Sequence, residues 1–227
     1  MNIILTVTFS FLMALSCSTQ KSSTDGISQN KETYPVKKYT AAEGLEKYEI
    51  AVFAGGCFWC TEAAFERIEG VVDVISGYSG GHKDYPAYKE VGYGTTGHSE
   101  AIYIYYDKAK IDYKTLLDVF FVAHDPTTLN RQGPDVGTAY RSAIYYNTEQ
   151  ELELINKAVE KVNESGKYNG KVVTEIEPYK EFWVAEGYHQ NFYELNPNQG
   201  YVSAVSRPKV EKVIKTFPDL IKKKYRK

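Results

Sequence analysis

Cysteine is scarce. The 227 residues hold three, at positions 17, 57 and 60, so any one disulfide leaves one sulfur over. The single C-x-x-C pair has no second pair with which to complete a structural zinc site. The four histidines, His82, His98, His124 and His189, lack the His-x3-5-His spacing of a metal set, and no bound metal or other bound cofactor is expected. A net charge of −2 carries no nucleic-acid signal. No phosphate-cradling GxxxxGK(S/T) occurs, and Gly92-x-Gly94-x-x-Gly97 follows a loop and precedes a strand, the wrong context for a dinucleotide site. No internal repeat is long enough for a solenoid. The apolar run at residues 3–15 spans 13 residues, too short to cross a bilayer comfortably but right for the core of a secretory signal.

What is present is enough for one decorated domain, because an apolar fraction of 43% supplies a sizeable core. The chain is organised around Gly55-Gly56-Cys57-Phe58-Trp59-Cys60, which follows an apolar run at 48–53 and precedes a helical pattern. Two glycines let a strand turn tightly, and a cysteine just beyond them stands in the first turn of a helix. There the unpaired amides and the helix dipole favour a thiolate. Phe58 and Trp59 offer an apolar wall for a small ligand. Cys60 lies one helical turn on, within reach of a disulfide after local rearrangement of the backbone. The same residues also suit a plain buried core. Twenty tyrosines either fill half-buried strand faces or line a polar-apolar pocket.

Taken in order, residues 18–46 are polar and read as a flexible tether, and the globular domain occupies 47–227. The periodicity predicts a strand at 48–53, a helix at 58–68, a strand at 71–76, and a long glycine- and tyrosine-rich loop at 77–97. A strand at 100–106, a helix at 113–123 and a strand at 142–146 follow. Two strand-helix-strand units in succession predict an α+β fold with a ferredoxin-like split β-α-β core, an antiparallel or mixed sheet and helices on one face. Thr148 and Glu151 form a capping box for a helix at 149–163. A short strand at 172–176, a helix at 185–195 and a last amphipathic helix between Pro208 and Pro218 complete the chain.

Glu100 shares a strand face with Ile102, Ile104 and Tyr106. If that face packs inward, desolvation raises the pKa of the carboxyl and suits it to general-acid work; at a solvated strand end it would be ordinary. The loop at 124–142 is longer and more polar than its connection needs, and offers Asp135 and Tyr140 as ligand-binding or turn-forming groups.

The N-terminal Ala14-Leu15-Ser16-Cys17 resembles the lipobox of bacterial lipoproteins, in which the signal is cut before the cysteine and that residue is acylated. This implies lipidation at Cys17 and a location in the bacterial cell envelope, facing the periplasm or the exterior. An uncleaved N-terminal anchor or a secreted form is the alternative.

The globular part resembles the type A peptide methionine sulfoxide reductases. The resemblance rests on Gly56-Cys57-Phe58-Trp59, Gly77-Tyr78-Ser79-Gly80-Gly81, Tyr88-Lys89-Glu90-Val91 and Thr96-Gly97-His98-Ser99-Glu100-Ala101. It continues through His124-Asp125-Pro126, Arg131-Gln132-Gly133, Asp135-Val136-Gly137-Thr138-Ala139-Tyr140-Arg141-Ser142, Ala185-Glu186 and His189-Gln190. It implies a reductase of methionine-S-sulfoxide, free or in proteins, with Cys57 as nucleophile and Glu100 as proton donor to the sulfoxide oxygen. Phe58 and Trp59 would hold the substrate methyl, and Tyr88, Asp135 and Tyr140 would hold the oxygen or a bound water. Many members carry resolving cysteines near the C-terminus, where this chain has Gly200-Tyr201-Val202. The resemblance therefore implies a Cys57 to Cys60 disulfide, reopened by an external thioredoxin-like reductant.

Overall fold

The structure, a computed structural model, describes residue 1 and residues 37–40 and 44–226. The apolar run at 3–15, Cys17 and most of the expected tether lie outside the described residues. In chain order the elements are β1 (Lys37–Lys38), β2 (Glu49–Gly55), α1 (Phe58–Glu66), β3 (Val71–Ser79), α2 (Tyr88–Gly92), β4 (Ser99–Tyr106) and α3 (Tyr113–Ala123). A small hairpin of β5 (Arg131–Gln132) and β6 (Asp135–Val136) precedes β7 (Ser142–Tyr146) and α4 (Glu149–Glu164). The chain closes with β8 (Glu175–Pro178), β9 (Phe182–Val184), α5 (Phe192–Leu195) and α6 (Arg207–Thr216).

Local chemistry starts the helices. The Asp112 side chain accepts from the Thr115 amide at 2.7 Å at the head of α3, and Thr148 does the same for Glu151 at 3.2 Å at the head of α4. The Glu151 carboxylate reaches back to the Asn147 amide at 2.7 Å, one residue earlier than an ideal capping box requires.

Among the described residues, seven strands form one sheet in the order β1-β9-β3-β4-β2-β7-β8. All neighbours are antiparallel except β7 and β8. The two units β2-α1-β3 and β4-α3-β7 interleave, each placing one strand between the two strands of the other, which is the expected ferredoxin-like split. Phe53 stands opposite both Ile102 and Ile144. On the helix side Phe53, Ile102, Ile104 and Tyr106 pack under Phe65, Leu116 and Phe120. Ala101, Tyr103 and Tyr105 face the other way, where Tyr39, Leu45, Tyr48 and Tyr179 cover them. Every residue of β4 is therefore buried. Most of the tyrosines on this second face fill strand surface, with Tyr39 and Tyr103 ring centres 4.7 Å apart.

Four sequence expectations change. The tether does not run to residue 46, because β1 adds to β9 at the sheet edge and Tyr39 packs on the second face. The segment at 77–97 is not all loop: β3 runs on to Ser79 and α2 lies within it. Gly77, expected at the start of the loop, lies inside β3 and allows close approach, since a Cβ there would lie 2.2 Å from the Trp183 carbonyl oxygen. The strand expected at 172–176 forms at Glu175–Pro178, ending in a proline tolerated because β8 is an edge strand. The helix expected at 185–195 is reduced to a 3-10 turn, Gly187–His189, and the single turn α5. Asn191 between them is left-handed (φ 54°), and the Gln190 amide is used instead to pair the Ser76 N–H and C=O.

Phe53, fully buried at the centre of the sheet, sets the first test. Phe53→Ala is expected to cost about 3–5 kcal/mol of unfolding free energy, read from urea denaturation. A loss below about 1 kcal/mol would show that the core does not rest on this ring.

Candidate active site

The turn from β2 into α1 is made by Gly56, at φ 85°. A Cβ there would meet the Gln132 side chain at 2.5 Å, so glycine meets both the backbone and the packing demand. Gln132 is itself fixed, accepting from the Asp125 amide at 3.1 Å and donating to the Asp125 carbonyl at 2.9 Å. Cys57 then caps α1, its carbonyl accepting from the Cys60 and Thr61 amides. Both cysteines are free thiols and buried.

Burial overrides the thiolate expected of a helix N-terminus at Cys57. Desolvation pushes this thiol well up, and its hydrogen bond to Cys60 and the nearby Glu100 act in the same direction. Cys60, which accepts that hydrogen bond, is brought down to about 7 despite its own burial, with Lys209 and Ser206 assisting. Within the pair, burial disfavours the anion on Cys57 and the hydrogen bond between the two sulfurs favours it on Cys60.

Glu100 enters from the start of β4, on the helix-facing side expected of it. One carboxyl oxygen accepts from the Phe58 amide at 3.0 Å. The side chain is buried, and desolvation raises its pKa to about 8. The Phe58 amide opposes this shift, and the neighbouring Asp135 and Cys60 add to it. At neutral pH it is a neutral acid with a proton to give.

Around these groups stands an aromatic wall. Phe58 stacks on Tyr88 with ring centres 6.4 Å apart, and Trp59 lies flat on Phe192 at 3.7 Å. The Trp59 indole N–H donates to His189 Nδ1 at 3.1 Å. Tyr140, delivered by the 3-10 turn Thr138–Tyr140, hydrogen-bonds Tyr88 and feels both Glu100 and Cys57. Tyr201 donates to Asp135 and also hydrogen-bonds the Cys57 thiol. The Glu186 carboxylate accepts from the Tyr78 hydroxyl at 2.7 Å and from the Tyr88 amide at 3.1 Å.

Cys57, Phe58, Trp59, Cys60, Tyr88, Glu100, Asp135 and Tyr140 thus converge on one site. Cys17 falls outside the described residues. Sequence reasoning gave no role to Tyr201, His189, Glu186, Phe192 or Ser206, which touch the expected set. Glu186 and His189 stood within recognisable motifs, but no spacing tied them to Cys57.

Two of the histidines are spent on structure. His98 accepts from the Gly81 amide and bonds the Lys83 carbonyl, while His124 bridges the Phe120 carbonyl and Ser142. Among the described residues no group of His, Cys, Asp or Glu is arranged to hold a metal ion.

A buried cysteine pair, a protonated carboxyl and an aromatic wall on a split β-α-β core define a thiol-dependent oxidoreductase. Comparison with known proteins makes this specific. The family model described as peptide methionine sulfoxide reductase matches residues 49–220. A peptide methionine sulfoxide reductase of Rhodopirellula baltica is 53% identical over 174 residues, covering 77% of this chain and 90% of that protein. One from Natronomonas pharaonis is 47% identical over 171 residues, covering 75% and 96%. The reduced form of Mxr1 from Saccharomyces cerevisiae superposes with a TM-score of 0.62 at 37% identity, covering 72% of this chain and 91% of that one. Methionine sulfoxide reductase A of Corynebacterium diphtheriae gives 0.63 at 32%, covering 70% and 80%. The chain belongs to the peptide methionine sulfoxide reductase family, type A. It is an oxidoreductase that returns methionine-S-sulfoxide to methionine with electrons from thiols.

The state of Glu100 has a consequence for stability. Its folded pKa, about 8, lies above the ordinary glutamate value of 4.5, so between those values the folded chain holds a proton that the unfolded chain has lost. Its contribution to stability is full below about pH 4.5 and is lost as pH rises towards 8. Glu100→Gln removes this dependence, flattening the slope of unfolding free energy by up to about 1.4 kcal/mol per pH unit in that window. Urea unfolding at several pH values checks it, and an unchanged slope would mean that the carboxyl is ionised in the fold.

Proposed function

We propose that Cys57 and Glu100 carry out the oxygen transfer and that Cys60 completes it. The observation that carries this reading is the buried Glu100 carboxyl, bonded to the amide next to Cys57 and neutral at working pH. The sulfoxide oxygen sits against Glu100 with the Tyr88 and Tyr140 hydroxyls beside it, and the substrate methyl lies against Phe58 and Trp59. Asp135, held by Tyr201, orients the polar side of the pocket.

The Cys57 sulfur takes the oxygen as its proton passes along the hydrogen bond to Cys60, while Glu100 protonates that oxygen. Methionine leaves, and Cys57 is a sulfenic acid. Cys60 then attacks the Cys57 sulfur: the S–S bond forms, the S–O bond breaks, and the hydroxyl leaves as water with the proton that Cys60 held. Glu100 regains its proton from solvent. An external thioredoxin-like dithiol reopens the disulfide by exchange. Support for the pairing is that Cys60 is one turn from Cys57 and already shares its hydrogen bond.

The substrate is methionine-S-sulfoxide, free or as a residue in proteins and peptides. The lipobox-like Cys17 supports a lipid-anchored enzyme of the bacterial envelope that repairs exported proteins.

Diastereomerically pure methionine sulfoxides, with a dithiol donor, test the chemistry. The S epimer alone is expected to turn over, Cys57→Ser to abolish turnover, and Glu100→Gln to lower kcat/KM by about 10²–10⁴-fold. Turnover by Cys57→Ser would assign the nucleophile elsewhere. One equivalent of substrate is expected to consume both thiols, and a stable Cys57 sulfenic acid beside a free Cys60 would refute the pairing. For the anchor, Cys17→Ser is expected to shift the protein from the membrane to the soluble fraction. Retention on the membrane would exclude acylation as the anchor.

A further inference from the structure

The segment that follows Tyr201 leads back to the cysteine pair. Residues Val202–Ser206 form a π-helical stretch that runs without a break into α6. A π-helix is uncommon and tends to occur where a side chain must be aimed at a site. Its last residue, Ser206, is fully buried, and its hydroxyl lies 3.2 Å from the Cys60 sulfur. Three residues on, one helical turn away on the same side, the Lys209 ammonium is buried and meets no hydrogen-bond partner among the described residues. A buried ammonium without a partner is costly, and a nearby anion relieves that cost.

We propose that Ser206 and Lys209 are positioning residues that hold Cys60 as a thiolate and so set the rate at which the second sulfur takes over from the first. The inference rests on the reading of Cys60 as the partner of Cys57. In the structure the Cys60 thiol donates to the Ser206 hydroxyl oxygen; once the sulfur ionises, the same hydroxyl rotates to donate to it, and Lys209 supplies the compensating charge. The other groups that face Cys60 are the Cys57 thiol on the cap of α1, Asp135 on β6, Glu100 on β4 and Tyr201. Cys57 favours the anion through its hydrogen bond, whereas the charge of Asp135 opposes it. Lys209 also faces His124, whose burial keeps it neutral with a pKa near 4, so the imidazole does not compete for the sulfur. A Cys60 that exchanges its proton near neutrality can accept the proton of Cys57 and then release it to the departing hydroxyl without an extreme pH at either step.

Two measurements on the full-length reduced protein test this. The first is the pH midpoint of thiolate ultraviolet absorbance, with Cys60→Ser identifying the part due to Cys60. The wild-type midpoint is expected at about 7. Lys209→Met and Ser206→Ala are each expected to raise it by about one unit, leaving about a tenth of Cys60 as thiolate at pH 7 in place of half. The second is the rate of Cys57 to Cys60 disulfide formation after one equivalent of methionine-S-sulfoxide, read by acid quench and mass spectrometry. At pH 7 it is expected to slow about fivefold in both variants and to recover in Lys209→Arg. Unmoved midpoints and rates would overturn the roles of Ser206 and Lys209 while leaving the cysteine pairing intact. If the wild-type protein formed no such disulfide, both the pairing and this inference would fall.

Discussion

The hydrogen bond between the Phe58 amide and the Glu100 carboxyl is the contact on which the site depends. It joins the start of α1 to the start of β4, and it spends a helix N-terminal amide on a carboxyl that has lost its water. Because only one such bond opposes a full desolvation penalty, the group stays neutral and can act as an acid. A more generous set of donors would have made it an ordinary carboxylate.

The same burial acts in opposite senses on neighbouring groups. It supplies Glu100 with a proton to give and deprives Cys57 of the thiolate that its helix position would favour. The anionic character is moved instead to Cys60, one turn deeper along α1, where the elements after Tyr201 can compensate it. The pair therefore titrates as one coupled unit and not as two independent thiols.

Around the sulfur chemistry, rigidity comes from groups that never touch it. Gln132 closes the space over Gly56, and Glu186 ties Tyr78 to the start of α2. His189 fixes the Trp59 indole. Each satisfies buried polar atoms while it sets the direction of an aromatic ring, so the pocket wall is held by hydrogen bonds as well as by packing.

The split β-α-β core was legible in the sequence, since strand alternation and the apolar faces of α1 and α3 are local patterns with a fixed period. The motifs around Cys57, Cys60 and Glu100 are also dense enough to single these three out, and the structure places them beside one another. That Tyr201, Ser206 and Lys209 stand at the cysteine pair, and that Lys37–Lys38 adds a strand to the sheet, emerges only from the folded chain. The physical reason is separation along the chain. Ser206 meets Cys60 across 146 positions, and no periodicity or spacing rule acts over such a distance. The protonation of the pair was likewise beyond local reading, because it follows from the burial of the whole site and from charges brought in by helices that lie elsewhere in sequence.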